Sequence, residues 1–343
     1  MNCIAIDLHT DNFTAARRRI VKEKAVKTTV KFGLDDKSLK SFINTLSKED
    51  FVAVESTLNS FWFYDMIKPH VKKVIIFDTH KISFNGNKTD KIDAKKLLET
   101  LEYFVFIKGG NELPEVYVPE KQIREMRELF STYSLEKKMS VQVKNRIHSI
   151  FKQHGKKLSR KSMDSLQGKE KVRNLEINNL SKYQVSMLLD QVIEIETRLE
   201  KITGIIIEYA NRYFRKELDN LITIPGVSPL LAAALLADIA DISRFSNVKK
   251  FCSYLRTAPR IKESNKKTYL GKVNKDSRSL TVTLFTQSIL HFRNSAAYFD
   301  EFYLRLKEGK SYGKCRMALI RKILVCCYYM LKMFTNFLSI EIK

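Results

Sequence analysis

The chain lacks any patterned use of cysteine. Cys3, Cys252, Cys315, Cys326 and Cys327 show no paired metal spacing, and Cys326 and Cys327 are neighbours in an apolar helical run. That excludes a disulfide scaffold or a structural zinc site and points to thiols packed in a core in a reducing compartment. Long apolar runs are missing too. The best candidate, Ile323 to Leu338, is broken by Lys332, well short of the roughly 20 apolar residues that span a bilayer. It reads as a buried amphipathic helix. The first residues carry no basic stretch and meet a charge at Asp7, unlike a signal peptide. A cytoplasmic protein with no membrane partner is expected. Negative charge is scarce: 38 Asp and Glu face 61 Lys and Arg, a formal +23 with pI near 9.7. Such an excess is the footprint of a polyanion binder, nucleic acid first.

What is present alternates by region. A length of 343 residues admits two or three domains with a sizeable core. Apolar runs at Cys3–Ile6, Phe13–Ala16, Phe51–Val54 and Val74–Phe77, with a β-type alternation at Thr28–Phe32, are interleaved with helical patterns at Lys37–Leu46, Leu58–Ile67 and Thr89–Leu101. This predicts an α/β domain over 1–110. A mostly α-helical middle, 120–215, follows. Within it, Lys137 to Arg173 holds twelve basic residues against two acidic ones, a candidate phosphate-binding face. Val185, Leu188, Val192, Ile195, Leu199, Ile202, Ile206, Tyr209 and Tyr213 form a heptad seam. It predicts a coiled coil and a homo-oligomer, dimer or tetramer, with an internal hairpin against Arg124–Phe151 as the alternative. The region 220–343 is expected to be helical, with a loop-like Phe251–Asp276. Thr223 to Pro229 ahead of the small-residue helix Leu230–Ile239 looks like a helix-hairpin-helix element, whose turn would offer N–H groups to phosphate.

Four carboxylates carry the chemistry. Asp7 closes the first apolar run and Glu55 the third, while Asp90 and Asp93 sit at i, i+3 on one helical face. Unpaired carboxylates at buried strand ends are expensive, and a shared hard cation, Mg2+ or Mn2+, would account for all four. His9 and His80 are read as neighbours of the site, not ligands. In the basic stretch Pro259–Lys267, Ser264 among cations could act as a nucleophile on a phosphodiester.

The order Ile-Asp-Leu-His, then Glu55, then Lys-Thr-Asp-Lys-Ile-Asp-Ala resembles the amino-terminal domain of the IS110/IS1111 family of DEDD transposases. In the second half, Ile-Pro-Gly-Val-Ser-Pro from Ile224, Ala-Ala-Ala-Leu-Leu-Ala-Asp-Ile from Ala232, Asp-Ile-Ser-Arg-Phe from Asp241 and Phe-Cys-Ser-Tyr-Leu from Phe251 match that family in order. The resemblance implies an RNase H/RuvC-like fold whose metal tetrad is Asp7, Glu55, Asp90 and Asp93. It implies catalysis by Ser264 through a covalent phosphoserine link to DNA. It also implies donor and target DNA as partners, a bridging guide RNA and a nucleoid-associated location. The chain departs from the family at Asn265 and Ser277, where glycine is usual, leaving Ser253, Ser277 and Ser279 as alternative nucleophiles. Related readings are a Piv-like DNA invertase, a RuvC-like hydrolytic nuclease and a non-enzymatic coiled-coil binder.

Overall fold

The computed structural model describes residues 2–21, 24–78, 90–107, 115–264, 267–273, 279–334 and 337, without the side chains of 19–21, 24, 25, 90, 91, 260–264, 267–270, 272 and 273. Two compact units, Met1–Val118 and Pro119–Lys343, are taken in turn.

The first unit is a five-stranded mixed sheet in the order β3-β2-β1-β4-β5. Strands β1 (Cys3–Leu8), β2 (Asn12–Val21) and β3 (Lys24–Gly33) form an antiparallel meander, and β4 (Phe51–Glu55) and β5 (Lys73–Phe77) extend it in parallel. β1 is buried along its whole length because helices cover both faces. Ile4, Ile6 and Leu8 point into a core with Leu39 and Phe42 of α1 (Asp36–Ile43) and Phe63 and Ile67 of α2 (Ser60–Ile67). Cys3 and Ala5 point the other way, onto Ala94, Leu97, Leu98 and Leu101 of α3 (Asp90–Glu102). Asp7 continues that second, small-residue face by the two-residue period of a strand.

Register is set at the far end. The buried Asp50 carboxylate accepts from Asn2 N and Nδ2 at 3.2 and 2.8 Å and from Ser47 N at 3.0 Å. Phe51 N donates to Asn2 O at 3.0 Å. Cys3 therefore pairs with Phe51 and Ile6 with Val54, so the next residues, Asp7 and Glu55, leave their strands side by side. A one-residue slip would send one carboxylate to the opposite face. β2 and β3 run ten residues each, beyond the apolar runs that predicted them, because their ladder continues where Val26 and Val30 are already exposed.

The second unit is almost wholly helical. α4 (Lys121–Gln153) and α6 (Asn179–Tyr213) lie antiparallel, as Glu136–Arg198 at 3.0 Å, Lys144–Glu196 at 3.0 Å and the Tyr209–Glu125 hydrogen bond show. The α6 seam is thus filled within the chain: Val185, Leu189 and Val192 meet Ile147, Ile150 and Phe151, and Ile195, Leu199, Ile202 and Ile206 share a core with Ile123, Met126 and Phe130. That is the hairpin alternative, with Leu189 taking the fully buried place expected of Leu188. α5 (Leu166–Arg173) docks beside the pair through Lys169–Glu196 at 2.7 Å and Arg173–Asp190 at 2.6 Å. Burial opposes ionisation of Glu196, but hydrogen bonds from Lys169 and Lys144 outweigh it and hold its pKa below the ordinary value.

Beyond α7 (Arg215–Ile222), the alanine- and leucine-rich α8 (Pro229–Ile239) runs through the centre of the core. Its carboxy-terminal carbonyls are taken by cations, as the helix dipole favours: Arg127 Nε reaches Ala237 O at 2.7 Å and Arg244 Nη1 reaches Ile239 O at 2.9 Å. The stretch Phe251–Asp276, expected as loop, instead begins inside α9 (Val248–Tyr254) and continues as a hairpin of β6 (Pro259–Ser264) and β7 (Lys267–Val273). Its many charged residues hid the Thr, Tyr and Val that suit a strand. Helices α10 (Leu280–Gln287), α11 (Ile289–Ser295), α12 (Ala297–Lys307) and α13 (Tyr312–Met333) complete the unit. α13 stops short of the predicted Leu338 because Phe334 turns left-handed at φ 51°. Among the described residues no helix is long and apolar enough to cross a membrane.

Two glycines separate backbone need from convenience. Gly226, between α7 and α8, has φ +84°, and a Cβ there would stand 2.8 Å from Phe292 Cδ1. Gly204, within α6, has open space around it. Gly226→Ala should destabilise by about 1–3 kcal/mol, whereas Gly204→Ala should stabilise by up to about 1 kcal/mol. Denaturant melts of the two variants check both signs.

Candidate active site

The parallel pairing of β1 and β4 brings Asp7 and Glu55 to the same edge and face of the sheet, the face that α3 covers. Asp93 is in the first turn of α3, where the amino-terminal dipole favours negative charge. Three of the four predicted carboxylates therefore come together from three separate elements. Asp90 is the first residue of α3, and its side chain lies outside the described residues.

The electrostatics show the crowding. Asp7 is buried at 3% exposure and Glu55 is half-buried. The Glu55 carboxyl is pushed above its ordinary pKa, first by burial, then by the charge of Asp7, a hydrogen bond with Asp7 and the charge of Asp93, with His9 pulling the other way. His9 Nε2 is 3.3 Å from Asp7 Oδ2, so the histidine read as a neighbour is in direct contact. Asp93 Oδ1 is buried without a hydrogen-bond partner. A carboxylate oxygen left in that state beside two crowded carboxylates suits a hard cation, which would relieve both penalties. In the geometry at hand Asp7 and Glu55 bond to each other, and among the described residues no three His, Cys, Asp or Glu side chains are arranged to hold a metal ion.

The turn between β4 and α2 is fastened to this edge, which the sequence did not reveal. Asn59, at the amino-terminal cap of α2, makes no capping bond. It donates instead from Nδ2 to His9 O at 2.9 Å and accepts from Thr57 Oγ1 at 2.9 Å.

Ser264 ends β6 opposite Lys267, and its side chain lies outside the described residues, as does Ser277. Ser253 is exposed on α9 and Ser279 precedes α10. Two fully buried threonines lie along the chain on either side of the hairpin that carries Ser264, Thr257 two residues before β6 and Thr281 in α10. Thr257 O accepts from Arg321 Nε of α13 at 2.8 Å. Thr281 donates from N and Oγ1 to the buried Asp238 of α8 at 2.9 and 2.8 Å. Neither clamp was anticipated, because each joins residues more than 40 positions apart. In the turn between α7 and α8, Val227 N bonds Ile224 O at 3.0 Å and Ser228 Oγ caps Leu231 N at 3.3 Å.

Excess positive charge is uneven: 19 basic against 16 acidic residues in 1–118, and 42 against 22 in 119–343. The second unit thus carries most of the excess positive charge, and the first carries the acidic cluster. Within the basic run, Lys144, Lys169 and Arg173 are paired to acids, while Lys152, Lys157, Arg160 and Lys161 are exposed at the end of the α4–α6 pair.

The chain thus combines an acidic cluster on a mixed sheet with a strongly basic, mostly helical second unit. Residues 218–304 match the family model described as Transposase IS116/IS110/IS902 family. The match spans α7 to α12 and includes the Ser264 hairpin; it supports an IS110-family insertion-sequence transposase, hence DNA binding and DNA processing. No curated protein matches the chain.

The crowding has a measurable consequence. With its pKa raised, Glu55 stabilises the fold least when ionised, above its folded pKa, and the penalty disappears as pH falls and the carboxyl takes up a proton. Glu55→Gln keeps a donor toward Asp7 without the charge. Its melting temperature in chelator-containing buffer should exceed wild type by a few degrees at pH 8, and the gain should vanish near pH 4. An equal or lower melting temperature at pH 8 would contradict the crowding.

Proposed function

We propose that the chain is a DNA transposase or recombinase that cuts and rejoins strands through a phosphoserine intermediate at Ser264, assisted by a DEDD centre of Asp7, Glu55, Asp90 and Asp93 on a RuvC-like domain. The observation that carries it is the convergence of Asp7, Glu55 and Asp93 at one sheet edge, in a chain whose residues 218–304 match a transposase family. The strand order, an antiparallel meander continued by two parallel strands, supports the RuvC-like assignment.

The chemistry is conservative. Ser264 Oγ attacks a backbone phosphorus, the bond to the leaving deoxyribose oxygen breaks, and the serine proton ends on that oxygen. The reverse attack by another strand's hydroxyl restores the serine, so rejoining needs no ATP. Arg321 grips Thr257 two residues before β6 and fastens the start of the nucleophile's strand. Asp7, Glu55, Asp90 and Asp93 would hold Mg2+ or Mn2+, which when bound polarises phosphate oxygens. Donor and target DNA would lie on the basic second unit, with a bridging guide RNA supplying sequence choice. A homo-oligomer, if formed, must use surfaces other than the α6 seam, which α4 fills. The working location is the cytoplasm, on the nucleoid. The domain scheme of 1–110, 120–215 and 220–343 gives the acidic centre, the RNA and DNA scaffold and the serine to successive segments.

The test is a covalent adduct. The protein, expressed with its native flanking DNA, is mixed with a supercoiled plasmid carrying the element junction and Mg2+, and products are resolved in denaturing detergent. Wild type should yield a protein–DNA adduct, Ser264→Ala none, and Asp7→Ala neither adduct nor recombination. Recombination at the wild-type level by either variant would refute the assignment. Cut DNA without an adduct would transfer the chemistry to hydrolysis at the carboxylates.

A further inference from the structure

Arg256 stands where the backbone asks for glycine. It follows the last turn of α9 with φ 56°. Arg256 N bonds Ser253 O at 3.1 Å and Thr257 N bonds Cys252 O at 2.9 Å, the helix closure that needs a left-handed residue at this place. Glycine takes that conformation without strain, whereas a Cβ crowds the following carbonyl. The side chain adds a second penalty. Its Nε is buried without a hydrogen-bond partner, and among the described residues the guanidinium makes no ion pair. Other arginines at helix ends behave differently: Arg127 and Arg244 donate to the last carbonyls of α8. Arg256 thus joins a strained backbone to an unanswered charged donor, and no bond within the fold offsets either. Strain held at one residue ahead of a candidate catalytic strand is the mark of a ligand clamp.

The surroundings say which ligand. From Val248 to Val273 eight basic residues outnumber a single acid, Glu263. Arg321 of α13 brings a second guanidinium to the adjoining peptide, donating to Thr257 O at 2.8 Å. Both features call for an anion. We infer that Arg256 is a phosphate-binding residue, its guanidinium taking a backbone phosphate of DNA that lies along the β6–β7 hairpin. The inference rests on the DNA-binding reading of the second unit and adds a contact point to it. Ser264 ends β6 about 17 Å beyond Pro259 (five residues at roughly 3.3 Å each), so the phosphate held is a flanking one and not the one that reacts. Arginine suits the task because its planar fork offers paired N–H donors to phosphate oxygens. Turning onto a phosphate also takes Nε out of burial, so a penalty borne by the free chain is removed in the complex.

Salt dependence tests it. The full chain is titrated into a fluorescein-labelled 24-base-pair duplex, with anisotropy as the readout, at KCl concentrations from about 50 to 200 mM. Each phosphate contact contributes about 0.9 to the slope of log affinity against log salt. Arg256→Gly should therefore bind more weakly and with a slope shallower by about 0.9, so that its deficit is about 3.5-fold larger at 50 mM than at 200 mM. Its melting temperature should rise, because glycine accepts the left-handed turn. Arg256→Asn, neutral and also tolerant of positive φ, should show the same loss of slope, and Arg256→Lys should keep the wild-type slope. Wild-type slopes in both neutral variants would overturn the inference and leave DNA binding standing. An equal loss in Arg256→Lys would overturn it too, since the charge would then not account for the effect. A wild-type chain that binds no duplex at 50 mM would remove the DNA-binding reading together with the inference.

Discussion

Mutual repulsion between carboxylates on adjacent strands is the constraint around which the first unit is organised. Asp7 and Glu55 are delivered to one edge by a backbone register that Asp50 fixes about 15 Å away along the strand (five residues at roughly 3.3 Å each). The helix that covers that face begins with further acid at Asp93. A fold selected for stability alone would pack apolar residues there, as Cys3, Ala5 and Ala53 do one turn of the pleat earlier. The unit instead spends favourable contacts elsewhere to keep the acids together: small residues bring α3 close, and a four-phenylalanine cluster of Phe13, Phe32, Phe42 and Phe63 anchors the opposite face.

The second unit meets a different demand, to carry a large excess of positive charge without losing its own cohesion. Most of the net charge is here, so its helices repel one another wherever cations are unpaired. Arginines and lysines are therefore used internally as well. Arg127 and Arg244 close the end of α8, Arg321 grips Thr257, and Lys169 is buried against Glu196. Buried pairs of this sort fix arrangement more than they add stability. Three of them close the end of α8 or the start of the β6–β7 hairpin, and the fourth joins α5 to α6.

Much of this was legible from residue order. β1, β4 and β5 followed from short apolar runs, and Asp7 and Glu55 were legible as acids closing two of them, whereas the parallel pairing that sets them side by side was not. Asp90 and Asp93 announced α3 by their spacing. The α6 seam was visible as well, but not its partner, because an apolar stripe at period 3.5 looks the same whether another chain or α4 fills it. The β6–β7 hairpin was missed because charge outnumbers β-formers in it. The Asn59–His9 tie and the two threonine clamps were invisible for a simpler reason: each joins polar groups at distant positions, without periodicity to betray it.

Cation binding at the acidic edge tests the account most directly. Manganese titrated into the metal-free full chain and followed by electron paramagnetic resonance separates free from bound ion. Wild type should remove free Mn2+ from solution with a saturable site that Asp7→Asn and Asp93→Asn each abolish, while the exposed-acid variant Glu200→Gln leaves it intact. Equal Mn2+ binding by wild type and both aspartate variants, or none by wild type even with DNA present, would contradict a carboxylate–cation centre at the β1–β4 edge.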